Sequence, residues 1–137
     1  MSTLNIALAI EDGIKTLAKQ GTAEQQAHYL ADQKVTGRQG RSQDCVVAEF
    51  LKQLHPELAE LDANMRIAVD SRTVGVITHF SDQFGGMTGW DYKELVPITG
   101  EMTELIRGFD RGKYPELVKG QNVVRTPMVG AVSILAA

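Results

Sequence analysis

A single cysteine stands among 137 residues. Cys45 therefore has no partner for an internal disulfide, and nothing indicates an oxidising compartment. Histidine is also scarce. His28, His55 and His79 are scattered, and none completes an H-x-x-x-H or H-E-x-x-H pattern. The near pair His79-x-x-Asp82 is too little for a ligand set, so neither a metal nor a cofactor is expected. No apolar run approaches the ~20 residues that a spanning helix needs. The opening MSTLNIALAIEDGIK lacks a basic region and carries Glu11 and Asp12, so it does not read as a secretory signal. Excess positive charge is missing too. A net charge of −3 disfavours the broad basic surface of a nucleic-acid binder. Repeats and low-complexity blocks are absent. These absences predict a soluble, cytoplasmic protein.

What is present fits one domain over 1–137. Hydrophobic residues make up 43% and charged residues 23%, which is enough apolar content for a core and argues against disorder. Residues 3–20 read as a helix, with Ile6, Ala7, Ile10, Ile14, Leu17 and Ala18 on one side at ~100° per residue. Gly21 stops it, and Thr22 with Gln25 forms a capping box for a second helix over 23–35. Ala23, Ala27, Leu30 and Ala31 make its inner stripe, and Gly37 is expected to end it. A third helix is expected over 43–54, capped by Ser42, with Val46, Val47, Phe50, Leu51 and Leu54 inward. The HPEL stretch ends it, because a residue before proline avoids the α region.

From residue 65 the pattern changes period. In MRIAVDSRTVGVITHF, Met65, Ile67 and Val69 alternate with Arg66, Ala68 and Asp70, and Val74 and Val76 alternate across a DSRT turn. This is a β-hairpin. Residues 81–92 read as a long glycine-rich loop with room for a short third strand. A fourth helix is expected over 97–111, with Pro97 in its first turn and Gly112 at its stop. Ile98, Met102, Leu105, Ile106 and Phe109 form its stripe. The tail VVRTPMVGAVSILAA is apolar and is expected to pack on the core or to join subunits. The fold class is α+β: three N-terminal helices, a β-hairpin, a fourth amphipathic helix and an apolar C-terminal segment.

One stretch stands out for function. TGRQGRSQDC, residues 36–45, holds two glycines, two arginines, a serine and the cysteine. Arg38 and Arg41 can fork onto a phosphate or carboxylate, and the Gly40–Ser42 backbone can turn N–H groups inward. The stretch matches no phosphate-loop motif, and no strand precedes it. The plain reading is a helix connection with solvated arginines. Cys45 would sit in the first turn of the third helix, where a thiol is acidified, and off that helix's apolar side. Asp44 and Glu49 oppose a thiolate there, so a buried small residue is the expected outcome. Phe84, Trp90 and Tyr92 offer an aromatic interaction surface.

These residues favour a non-catalytic binding or regulatory protein. Its partner would be a small anionic or phosphate-bearing ligand or another protein, with self-association as a homo-oligomer. A winged-helix-like DNA regulator is the alternative by topology, and a cysteine-dependent enzyme ranks below it. The third helix opposes the DNA reading, because it offers Asp44, Glu49, Lys52 and Gln53 rather than base-reading side chains.

Overall fold

The amphipathic periods give rise to three consecutive helices. In the computed structural model, which describes residues 2–62, 64–81 and 88–120, these are α1 (Thr3–Ala18), α2 (Ala23–Asp32) and α3 (Val46–Leu54). Ser2 caps α1 by accepting from the Asn5 N–H. The Thr22–Gln25 capping box of α2 is formed in both directions. A 3-10 turn at Pro56–Ala59 leads to β1 (Met65–Val69), β2 (Thr73–Ser81) and β3 (Thr88–Pro97). The helix α4 (Gly100–Asp110) and a second 3-10 turn, Pro115–Leu117, follow. The described residues thus form an α+β fold of four helices and one three-stranded antiparallel sheet, ordered β1-β2-β3.

Strand register separates the two sheet faces. Ile67, Val69, Val74, Val76 and Val96 point into the core shared with the helices. Ile10, Leu17, Leu30, Leu51, Leu105 and Phe109 fill that core and are fully buried. Each such side chain contributes about 1.5–3 kcal/mol relative to exposure. The opposite sheet face carries Ala68, Ile77, His79, Trp90 and Tyr92. Val74 pairs with Val96 but Gly75 with Glu94, so Leu95 is an extra residue that bulges β3.

Several boundaries differ from the sequence expectation for identifiable reasons. α2 ends at Asp32, not near Gly37, because Lys34 itself adopts φ 59°. The Lys34 and Val35 N–H groups return to the carbonyls of Ala31 and Leu30, closing the helix as a glycine usually would. α3 begins at Val46 with Cys45 as its cap residue, so Ser42 is not the cap. Pro97 ends β3, pairing with Thr73, and α4 starts three residues later. The third strand is ten residues long rather than a short insert in a loop. The Gly112 stop is formed: its φ is 84°, and the Gly112 and Lys113 N–H groups reach Phe109 and Gly108 carbonyls. The tail from 121 onward and Phe84 lie outside the described residues. Among the described residues, no helix is long and apolar enough to cross a membrane.

Candidate functional site

The 37–45 segment is held on three sides. Gly37 forms a one-residue parallel bridge with Val118: its N–H donates to Leu117 O at 2.8 Å, and the Lys119 N–H donates to Gly37 O at 2.7 Å. A Cβ at Gly37 would overlap the Val46 nitrogen, so only glycine lets the segment cross the start of α3 this closely. Gln39 Nε2 donates to the last carbonyl groups of α4, 2.9 Å to Phe109 O and 3.4 Å to Asp110 O. Gly40, at φ 68°, donates its N–H to Asp110 Oδ1 at 2.9 Å. Ser42 O accepts from the Val69 N–H at 2.8 Å, which fastens the segment to β1.

The turn between β1 and β2 forms the opposite wall. Asp70 Oδ1 accepts from the Arg72 and Thr73 N–H groups at 2.7 and 2.8 Å, shaping the turn. Thr103 Oγ1 of α4 donates to Ser71 O. Loop, turn and α4 thereby enclose a cleft of about 290 Å³. Arg41 and Ser42 enter from the loop, Asp70 and Ser71 from the turn, and Arg107 and Asp110 from α4. Val69, Ile106 and Cys45 supply its apolar lining.

The two arginines are only loosely held. Arg41 Nη2 lies 3.5 Å from Asp44 Oδ2, and Arg107 Nη1 lies 3.7 Å from Glu104 Oε1. Both side chains are about half exposed, 59% and 47%, so these pairs contribute little and yield readily to another anion. Asp110 is committed through one oxygen to Gly40, and Asp70 through one oxygen to its own turn. Each keeps a second oxygen. The cleft thus carries two cationic and two anionic groups around an apolar lining.

Cys45 is buried and lies in an extended conformation, with φ −67° and ψ 168°. The burial expected of it is thus found, and a helical wheel does not apply to it, because it precedes the helix instead of sitting in its first turn. Its thiol is pushed up from 9.0 to about 11. Burial is the main cause; the Ala48 and Val47 N–H groups pull it down, while the Asp110 and Glu49 charges push it further up. Desolvation outweighs the helix start and favours the protonated thiol at neutral pH.

Of the residues singled out in the sequence, Gly40, Arg41, Ser42 and Cys45 meet in this cleft, whereas Arg38 does not line it. The Gly40 N–H expected to receive an anion receives the protein's own Asp110. Arg107, Asp110, Asp70 and Ser71 escaped sequence reasoning. They come from α4 and the β-turn, and only the close approach of those elements to the loop joins them. Trp90 and Tyr92 sit two apart on β3, 52% and 39% exposed; the Trp90 ring meets His79 at 4.9 Å, and the Tyr92 hydroxyl bonds Thr73 Oγ1 at 2.7 Å. The Trp90 and Tyr92 rings both lie on the sheet face turned away from Val74 and Val76. Among the described residues, no group of three or more His, Cys, Asp and Glu side chains is arranged to hold a metal ion.

Comparison with family models, with curated proteins and with solved structures finds no match.

Proposed function

We propose that this protein is a non-catalytic binding protein, working in the cytoplasm, that takes a small anionic ligand in the cleft between the 37–45 loop, the β1–β2 turn and α4. The observation that carries the reading is the convergence of Arg41 and Arg107 on one cleft from two different elements. Two forked donors at one mouth suit a phosphate or carboxylate. Ser42 and Ser71 add hydroxyl groups, and Val69 and Ile106 accept an apolar body beside the anion. Asp70 and Asp110 favour a ligand that also carries a donor or a positive group over a bare polyanion.

The other readings have weaker support. α3 buries Val46, Val47, Ala48, Phe50 and Leu51, and its Lys52 is engaged by Glu49 and by the Gln43 carbonyl, which leaves little for a DNA groove. A cysteine-dependent reaction would have to ionise a thiol that burial holds protonated.

A thermal-shift series with inorganic phosphate, nucleotides and small phosphorylated or carboxylated metabolites tests the proposal. A ligand present at about a hundred times its Kd stabilises by roughly 2.7 kcal/mol, a readily measured rise in Tm. The rise should disappear in both Arg41→Ala and Arg107→Ala. If no compound raises the Tm of the wild type, the ligand reading fails and a protein partner replaces it.

A further inference from the structure

Strand β3 is an edge of the sheet and runs for ten residues. Among the described residues, the backbone of 88–96 makes no hydrogen bond apart from its pairing with β2. Such an edge is a ready template for another strand. Its central residues, Trp90 to Glu94, are exposed or nearly so and precede the bulge at Leu95.

We infer that β3 is a self-association edge, pairing antiparallel with β3 of a second copy in the register that sets Tyr92 opposite Tyr92. The charge pattern selects this register. Side chains opposite one another share a face, so two identical antiparallel strands must be centred on a residue. Centring on Asp91, Lys93 or Glu94 sets that charge against its own copy, which is destabilising. Centring on Trp90 sets Asp91 opposite Gly89 and leaves it without a cross-strand cation. Centring on Tyr92 sets Asp91 opposite Lys93 twice, once on each side of the axis. On the other face it brings Tyr92 against its copy, with Trp90 opposite Glu94. The charges that otherwise guard a lone edge thus become paired across it. The described face beside this edge already carries exposed aromatic surface at Trp90 and Tyr92, and the occupant that the charge pattern fits is a second copy of this chain.

Sedimentation velocity of the full chain over a broad concentration range tests the inference. The wild type should dimerise reversibly. Asp91→Lys and Lys93→Asp should each weaken dimerisation roughly tenfold or more, because both cross-strand pairs turn repulsive. The double swap D91K/K93D should restore it, and an equimolar mixture of the two single variants should form a heterodimer. Circular dichroism checks that each variant keeps its fold. In a Cys45→Ala background, Tyr92→Cys should form an intermolecular disulfide, since paired Cα atoms lie about 4.5–5.5 Å apart. Glu94→Cys should not, being roughly 13 Å from its copy in this register. A wild type that remains monomeric throughout overturns the inference. So does a dimer indifferent to both charge reversals, or one that cross-links through position 94 and not 92.

Discussion

Replacing Gly37 by alanine adds one methyl group, and the surroundings of that methyl set the cost. Gly37 is not among the residues with positive φ, so its backbone is open to any L residue and the penalty is steric rather than torsional. The new Cβ would overlap the Val46 nitrogen and lie 2.5 Å from the Cys45 carbonyl carbon and 2.7 Å from Val46 Cα. These are backbone atoms at the start of α3, with no rotamer to turn aside. Reaching ordinary contact requires the loop and helix to part by about 1 Å. Overpacking of this kind costs about 1–3 kcal/mol. The same displacement strains the two hydrogen bonds that join Gly37 to Leu117 and Lys119, each with a net value of about 0.5–1.5 kcal/mol. The stiffer unfolded chain returns about 0.4–1 kcal/mol. The net expectation for Gly37→Ala is a loss of about 2–4 kcal/mol, read from urea unfolding by circular dichroism. Gly40→Ala provides the contrast: nothing lies within 4 Å of its Cβ, and only the φ of 68° opposes it, so the loss should be about 1 kcal/mol. A Gly37→Ala protein within 0.5 kcal/mol of wild type, or one less perturbed than Gly40→Ala, would refute the reasoning.

Other consequences can be measured in the same way. Gly100→Ala should stabilise by about 0.5 kcal/mol in the same assay, since that Cβ meets open space at the start of α4 and the backbone there is not left-handed. Glu101→Ala should lose about 1 kcal/mol, because Glu101 Oε2 accepts the Ala23 N–H at 2.8 Å and leaves that helix-start donor unpaired when removed. The raised Cys45 thiol gives a pH dependence of fixed sign. Below its unfolded value of 9.0 both states are protonated; between 9 and about 11 the unfolded chain ionises first, so stability falls as pH rises. The loss, on the order of 2–3 kcal/mol by the upper end, should be missing in Cys45→Ala, and identical pH profiles for the two proteins would contradict the burial argument. Alkylation of the native thiol at neutral pH should be far slower than in urea.

Local chemistry made the capping box, the DSRT turn, the α4 stripe and the Gly112 stop legible in the sequence. All of these are written within a few residues of where they act. The end of α2 was illegible because Lys34 takes a conformation that sequence reasoning assigns to glycine. The start of α3 was shifted because Ser42 resembles a cap, while its carbonyl is used by β1. Half of the cleft could be read, since the loop's glycines and Arg41 are contiguous. The other half could not, because Arg107 on its own helix is one more outward charge. Its membership depends on Gln39 and Gly40 fastening the loop to the end of α4, contacts across about seventy positions of chain.

The bond from Ala23 to Glu101 spans 78 positions. Until α4 has docked, the first turn of α2 has its Thr22 box but lacks the acceptor for its leading N–H group. An order of assembly is predicted from this: a helix nucleated by its local box and completed late should unfold faster without the Glu101 carboxylate while its folding rate stays nearly unchanged, a φ-value near zero at Glu101.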